Sequence, residues 1–308
     1  MTVNDRLDPA LRPFAAARTN LSPELIGPTR ASLNARRAEQ AAGLPTAGVA
    51  IAATEVPGAG PAIPVRIYRG GPPAAPAVVY CHAGAFVLGN LDTDHRQCVE
   101  FARRARCTVI SVDYRLAPEH PYPAALDDVS AVLAWAAERA DELDIDATRL
   151  AVAGSSAGGG LAALLAQRAA CGSLPPVVFT LLHQPVLDDR PTPSKLAFGT
   201  TPGFDGAAAA AMWQHYLADV PPTPGAVPAR QTDLTGLAAT MITCSELDPL
   251  RDEALAYALR LLAVAVPTEL HVAPGTCHGY DSLLPDWEVS QQLFALQGAA
   301  LHRAFWPA

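Results

Sequence analysis

The sequence predicts an α/β fold in which helices cover both faces of a mostly parallel, twisted sheet. First, short apolar runs rich in β-branched residues alternate with longer stretches of helical periodicity. Second, the 29 prolines lie between these segments and not in one low-complexity tract, as expected for residues that separate strands from helices. Third, 50% of the 308 residues are hydrophobic and 17% are charged, which supplies enough apolar material for a large core.

Seven short apolar runs predict strands that are buried on both faces, as in a parallel sheet. They lie at residues 64–68, 77–81, 108–112, 149–153, 177–182, 239–244 and 268–273. Longer segments between and after these runs predict helices, and they lie at residues 94–106, 124–143, 157–171, 251–262 and 286–305. The alternation favours parallel pairing, because each helix carries the chain back across the sheet.

Two further regions do not follow this alternation. Residues 1–45 predict two helical pieces, each with a proline near its start, and a loop-like stretch follows them. Residues 187–233 contain many prolines, no predicted strand and one predicted helix, at 206–219. A long insertion of this kind tends to be functional. We therefore expect one domain, residues 1–308, with a helical cap formed by 1–45 and 187–233.

Several classes of function are disfavoured by composition. The formal net charge is −8 and no stripe of basic residues appears, so nucleic acid is not an expected partner. No apolar stretch is long enough to span a membrane, and the polar first residues do not resemble a signal peptide. These features and six cysteines without a C-x-x-C pair favour a cytoplasmic protein with reduced thiols. No metal-ligand spacing and no cofactor motif is present.

A G-x-S-x-G pattern at residues 154–158 lies between a predicted strand and a predicted helix. This context is typical of a nucleophile elbow, in which a sharp strand-to-helix turn exposes a serine hydroxyl. Ser156 has glycine at both −2 and +2, so the pattern selects it over the neighbouring Ser155. Amides at the start of the following helix are placed to stabilise a developing oxyanion.

The run His82-Ala83-Gly84-Ala85 follows the strand at 77–81. A glycine-containing loop at this place supplies further amide donors for an oxyanion. Alanine keeps the N–H group but disfavours positive φ, so the loop is distorted if its alanines have positive φ. His82 is expected to brace this loop.

A serine hydroxyl needs a base. His278 lies in the loop after the last predicted strand, and Asp248 follows the strand before it. The chain order serine, aspartate, histidine is the order of triads built on a nucleophile elbow. Asp252 and Glu246 are alternatives for the acid, although Asp252 also suits the first turn of the helix at 251–262.

These residues give the chain a strong resemblance to the hormone-sensitive lipase-like family of bacterial carboxylesterases. The segments that carry it are HAGAFVLG at 82–89, SVDYRLAPEHPYPAA at 111–125, GSSAGG at 154–159, DPLRDE at 248–253 and HGY at 278–280. The resemblance implies an α/β-hydrolase fold, hydrolysis of small carboxylic esters without a cofactor, and frequent homodimers.

Matched residue by residue, the resemblance implies a catalytic triad of Ser156, Asp248 and His278. It also implies an oxyanion hole formed by the amides of three residues, namely Gly84, Ala85 and Ala157. Two departures accompany it: the H-G-G-G of the family is H-A-G-A here, and Ser155 replaces its usual aspartate before the nucleophile.

The segment 111–125 is expected to have a structural role. Its prolines predict a rigid turn, for which a cis bond is one alternative, and Arg115 and Glu119 are expected to hold it together. The candidates for the pocket wall are aromatic, although plain core packing is an alternative for each, and they are Phe86, Phe204, Trp213 and Tyr280. With no basic residue obviously placed for an acidic substrate, a neutral, fairly apolar ester is expected. An acyl-transferring, lactone-forming or elimination enzyme and a silent binding protein remain alternatives.

Overall fold

A computed structural model describes residues 3–307, which fold around one eight-stranded sheet. The strands are β1 (Ala50–Val56), β2 (Ile63–Arg69), β3 (Ala75–Cys81), β4 (Thr108–Val112), β5 (Ile145–Ser155), β6 (Phe179–His183), β7 (Ala239–Leu247) and β8 (Thr268–Cys277). Their spatial order is β1-β2-β4-β3-β5-β6-β7-β8. The pairs β1–β2 and β2–β4 are antiparallel and all the others are parallel, which confirms the predicted fold class.

The helices are α1 (Val3–Arg6), α2 (Pro23–Ala42), α3 (His95–Ala105), α4 (Ala124–Glu138), α5 (Ala140–Leu143), α6 (Ala157–Ala170), α7 (Pro193–Ala197), α8 (Gly206–Leu217), α9 (Arg251–Ala263), α10 (Tyr280–Leu283) and α11 (Glu288–Phe305). Short 3₁₀ helices cover Pro9–Phe14 and Pro228–Arg230. None of the helices among residues 3–307 combines the length and hydropathy needed to cross a bilayer.

The two faces of the sheet bury alternate residues of the same strands. In β3, Val79 packs with α4 and α6 on one face, whereas Val78 and Tyr80 pack with α3 and α11 on the other. All seven residues of β3 are buried, since helices cover both of its faces. The parallel strands therefore end at one rigid edge, where loops can hold side chains in fixed positions.

Four details of the sequence prediction were wrong. Strand β1 lies in the stretch expected to be a loop; it is an exposed edge strand and lacks an apolar run. Strand β8 is also an edge strand and is only partly buried. The first of the two helical pieces expected within residues 1–45, at 7–18, contains only a short 3₁₀ helix at Pro9–Phe14, because Pro13 has no N–H to donate within an α-helix. The helix expected at 124–143 is interrupted at Arg139.

The N-terminal segment and the insertion at 187–233 contact each other. The amide of Gly203 donates to the carbonyl of Ala17 at 3.0 Å. The His215 ring lies 2.7 Å from the carbonyl of Leu21. The insertion contains α7 and α8, where one helix was expected. Residues 1, 2 and 308 of the predicted domain lie outside the described residues. That the two segments act as a cap stays a prediction.

Candidate active site

The turn between β5 and α6 places Ser156 at φ 54° and ψ −117°. The amide of Ser156 donates to the carbonyl of His183 at 2.8 Å, which fixes the turn to the end of β6. A Cβ atom on Gly154 would collide with the carbonyl of Gly158, and one on Gly158 would collide with the carbonyl of Cys81. The two glycines of the motif are therefore required by the closeness of the backbone here.

Three side chains from separate loops form one hydrogen-bonded chain. His278 Nε2 lies 2.9 Å from Ser156 Oγ, and His278 Nδ1 lies 2.8 Å from Asp248 Oδ2. The other oxygen of Asp248 accepts from the Leu250 amide at 2.8 Å, and this side chain is 0% exposed. Because a carboxylate only accepts, Nδ1 carries the ring proton and Nε2 is free to accept the proton of Ser156.

Two opposing effects determine the pKa of His278. Burial of the ring disfavours the charged imidazolium, but the carboxylates of Asp248, Asp281 and Glu253 together outweigh burial, so the pKa of His278 is raised above its ordinary value. The environment therefore stabilises the imidazolium that forms when the ring takes a proton. The ring remains mostly neutral, and able to act as a base, only at pH values above this raised pKa.

The alternative acids are committed to other contacts. Asp252 accepts from the amide of Ser194 and from the Arg251 guanidinium, both at 2.8 Å. Glu246 accepts from Arg6 at 2.7 Å and from the amide of Gly275 at 2.8 Å. Of these three carboxylates, only that of Asp248 is bonded to His278.

The loop after β3 has an unusual backbone, as expected if one of its alanines has positive φ. Gly84 has φ 141° and Ala85 has φ 54°, so Ala85 is in the left-handed region that alanine disfavours. A side chain at Gly84 would collide with the carbonyl of Leu88. In the described part of the chain, the amides of Gly84 and Ala85 donate to no other group. Ala157 is the first residue of α6, where helical N–H groups have no intrahelical acceptor.

His82 supports this loop through a hydrogen bond and a ring contact. Its Nδ1 donates to the carbonyl of Ala83 at 2.8 Å, and its ring stacks on Tyr114 with centroids 4.2 Å apart. Burial lowers the pKa of His82 to about 4, so the ring is neutral near pH 7. The Asp94 carboxylate accepts from the amide of Ala83 at 2.8 Å and anchors the loop from the other side.

A family profile described as the α/β-hydrolase fold matches residues 78–282. This match covers Ser156, Asp248 and His278 as well as the loop after β3. The chain belongs to the α/β-hydrolase fold family. The α/β-hydrolase fold that the resemblance implied is thereby confirmed.

The similar proteins are esterases by name. The Mycobacterium tuberculosis esterase LipI is 44% identical over 208 residues, which span 66% of this chain and 65% of LipI. The crystal structure of the esterase LipW from Mycobacterium marinum is 63% identical, covers 99% of this chain and 98% of its own, and has a TM-score of 0.97. A bacterial heroin esterase is 36% identical, with 99% coverage of both chains and a TM-score of 0.92.

The four aromatic candidates of this α/β-hydrolase lie in three places. Phe204 lies against the base, with its ring centroid 4.8 Å from that of His278. Phe86 stacks on Tyr216 at 3.9 Å and lies 6.1 Å from Trp213, inside a buried aromatic cluster. Tyr280 is buried elsewhere, 6.1 Å from Trp287. Among these four, Phe204 is the residue whose ring contacts the ring of His278.

The segment 111–125 has the structural position expected of it. Its peptide bonds before Pro118 and Pro123 are cis. Arg115 and Glu119 do not bond to each other: Arg115 makes a bidentate pair with Asp128 of α4, with contacts of 2.7 and 2.9 Å. Glu119 pairs with Arg30 of α2, with both contacts at 2.9 Å. Each residue thus ties the segment to a neighbouring helix.

Two buried polar residues near His278 were missed by the sequence analysis. Gln184 follows β6, and Ser245 lies within β7. The amide of Gly279 donates to Gln184 Oε1 at 2.7 Å, and Gln184 Nε2 donates to Ser245 Oγ at 2.7 Å. The available signal was a polar residue at the carboxyl end of a buried parallel strand, where sites in α/β sheets lie. Among residues 3–307, no cluster of three or more metal-ligating side chains occurs.

Proposed function

We propose that the chain is a serine carboxylesterase of the hormone-sensitive lipase-like group, which hydrolyses small, fairly apolar carboxylic esters through an acyl-enzyme on Ser156. The observation that carries this proposal is the hydrogen-bonded chain Ser156–His278–Asp248 at the end of the parallel strands. The esterase names of LipI and LipW support the same activity for a chain that covers 65% of LipI and 98% of LipW.

The first stage transfers the acyl group to the protein. Ser156 Oγ forms a bond to the ester carbonyl carbon while its proton moves to His278 Nε2, and the carbonyl π electrons move to oxygen. The bond between this carbon and the alcohol oxygen then breaks, and Nε2–H protonates the departing alcohol. Asp248 holds the ring in the required tautomer and stabilises the imidazolium.

The second stage reverses these roles with water. His278 removes a proton from water, the hydroxide oxygen attacks the acyl carbon, and the bond to Ser156 Oγ breaks as Nε2 returns the proton to the serine. The carboxylic acid is released and Ser156 is restored. The atoms of one ester and one water are thereby conserved in an acid and an alcohol.

The oxyanion of both stages needs hydrogen-bond donors that exist before the reaction begins. We assign this role to the amides of Gly84 and Ala85, in the loop after β3, and of Ala157, the first residue of α6. Alanine at position 85 retains its N–H, so the departure from H-G-G-G leaves the number of donors unchanged. Because Ala85 has positive φ, the departure adds backbone strain to this loop.

The substrate class follows from the surroundings of the triad. Ser156 is 3% exposed, and the ring of Phe204 lies against His278, so the reacting carbonyl is expected in a small, mostly apolar space. Phe204 belongs to the insertion at 187–233, which we propose to form a cap together with residues 1–45. Apolar acyl groups of short length fit such a site better than charged ones.

Turnover of p-nitrophenyl acetate and butyrate by purified protein tests the proposal. Ser156→Ala should lower kcat by about 10⁵- to 10⁶-fold, as removal of a triad serine does elsewhere. Ser155→Ala is the matched control, because it removes a neighbouring hydroxyl, and it should retain kcat within about threefold. A Ser156→Ala protein that turns over these esters like the unaltered protein would refute the proposal. Covalent labelling of Ser156 by a fluorophosphonate separates an enzyme from a binding protein.

A further inference from the structure

The two peptide groups that flank the imidazole of His278 are both held by side chains. On one side, the amide of Gly279 donates to Gln184 Oε1 at 2.7 Å. On the other side, the hydroxyl of Ser245 donates to the carbonyl of Cys277 at 3.0 Å. A third bond joins the two, since Gln184 Nε2 donates to Ser245 Oγ at 2.7 Å.

In these three bonds each group donates to the next, from Gly279 through Gln184 and Ser245 to Cys277. The carboxamide of Gln184 accepts on one atom and donates on the other, and the hydroxyl of Ser245 passes the chain on to Cys277. An uncharged carboxamide suits this position, because an ionised carboxylate has no proton to donate to Ser245 and an ammonium group has no oxygen to accept from Gly279. The chain therefore fixes the peptide on both sides of one residue, His278.

The same turn also holds the nucleophile. The amide of Gln184 donates to the carbonyl of Thr243 at 2.6 Å, and the adjacent carbonyl of His183 accepts from the amide of Ser156 at 2.8 Å. In the turn after β6, His183 thus contacts the backbone of Ser156, and Gln184 contacts the backbone of the loop that contains His278. The separation between Ser156 Oγ and His278 Nε2 depends on this shared support.

The free-energy cost of burying Gln184 in its conformation indicates that this residue does more than fill space in the core. Gln184 is 1% exposed and has φ 45°, a left-handed conformation that glutamine rarely adopts. Burying a carboxamide costs free energy unless its hydrogen bonds are made, and an apolar side chain of similar volume would fill the space without that cost. Strained, buried polar residues beside reacting groups are typical of pre-organised sites.

We propose that Gln184 is a positioning residue for the base, which acts through Ser245 and the two peptide groups that flank His278. This inference rests on the proposed esterase function. Gln184 is hydrogen-bonded through its side chain to Ser245 and Gly279 and not to the triad side chains, so its effect is on the geometry of proton transfer. Loss of the carboxamide should let the His278 loop shift, and a displacement of about 1 Å in such a site can cost about 100-fold in rate.

The test compares two glutamine-to-methionine substitutions. Gln184→Met removes the bonds to Gly279 and Ser245 with little change in volume. Gln167→Met is the matched control, because its Nε2 also makes two bonds, to the carbonyl of Pro228 and the hydroxyl of Tyr257, both at 3.0 Å. We expect Gln184→Met to lower kcat for p-nitrophenyl butyrate by about 10- to 100-fold with KM within about threefold, and to slow fluorophosphonate labelling similarly. Gln167→Met should change neither.

Ser245→Ala supplies a second, independent measurement if Gln184→Met folds poorly. It removes the bond to Cys277 and the acceptor of Gln184 Nε2 but leaves the bond between Gln184 and Gly279, so kcat should fall less than in Gln184→Met. The loss in the double variant should be smaller than the product of the two single losses, because the two residues act through one chain. Full kcat in folded Gln184→Met, or equal losses in Gln184→Met and Gln167→Met, would overturn the inference. A Ser156→Ala protein that still hydrolyses the ester would instead overturn the proposed function.

Discussion

Replacing Asp248 by asparagine tests the direction of the hydrogen-bonded chain. In the structure, one carboxylate oxygen accepts from the Leu250 amide at 2.8 Å and the other faces His278 Nδ1 at 2.8 Å. Only the oxygen of an asparagine side chain can accept from Leu250, so the NH₂ group must face Nδ1. The ring then keeps its proton on Nε2 and cannot accept the proton of Ser156.

The expected magnitude follows from this change of tautomer. An asparagine in place of the triad aspartate lowers kcat by about 10⁴-fold in a serine protease in which the geometry is preserved. At about 1.36 kcal/mol for each tenfold, this corresponds to about 5.4 kcal/mol of lost transition-state stabilisation. The substitution preserves volume and the bond to Leu250, so the protein should remain folded.

The assay is kcat for p-nitrophenyl acetate near pH 8, with thermal unfolding measured on the same samples. Asp252→Asn is the matched control, because Asp252 lies four residues away and bonds to Ser194 and Arg251 but not to His278. It should retain kcat within about fivefold. Asp248→Asn with kcat within tenfold of the unaltered protein, or an equal loss in Asp252→Asn, would refute the assignment of the acid.

Three further predictions concern pH and stability. The acidic limb of the kcat/KM profile should have its midpoint above 6.5, since the pKa of His278 is raised and activity is lost as the ring becomes protonated; a midpoint below 6.5 would contradict this. Ala85→Gly should raise the free energy of unfolding, measured with urea, by up to about 1 kcal/mol, because it removes a strained left-handed alanine, and should keep kcat within about threefold. Lys195→Met should lower that free energy by about 3–5 kcal/mol, because it leaves the buried Glu253, 2.6 Å from Lys195, without its cation. This loss should be smaller at pH 5 than at pH 8, because burial raises the pKa of Glu253 to about 7 and protonation removes the unpaired charge.

The fold and the placement of the triad could be predicted from the sequence because each depends on a strong local pattern. The apolar run of β3 and the glycines around Ser156 define their own surroundings. Asp248 and His278 follow successive strands, and parallel strands bring the loops at their carboxyl ends to one edge. Chain order and the positions of the strand ends are therefore sufficient to predict that these three residues lie close together.

Other features depend on partners far along the chain, so they could not be predicted from local pattern. The pairing of Arg115 with Asp128 requires the orientation of α4, and the pairing of Glu119 with Arg30 requires the path of the N-terminal helix. Strand β1 pairs only with β2 and is exposed, so no hydrophobic pattern marks it. A local sequence window contains none of these contacts.

Backbone strain occurs in the turns that hold the proposed catalytic groups. Nine non-glycine residues of the described chain have positive φ, and several of them close helices or turns. Four others, Ala85, Phe86, Ser156 and Gln184, lie in the three turns at the carboxyl ends of β3, β5 and β6. Each conformation costs on the order of 1–3 kcal/mol and persists only because rigid surroundings impose it. The parallel strands, buried on both faces, supply that rigidity. They hold the loop after β3, Ser156 and the turn that supports His278 in a geometry that these residues would not adopt alone.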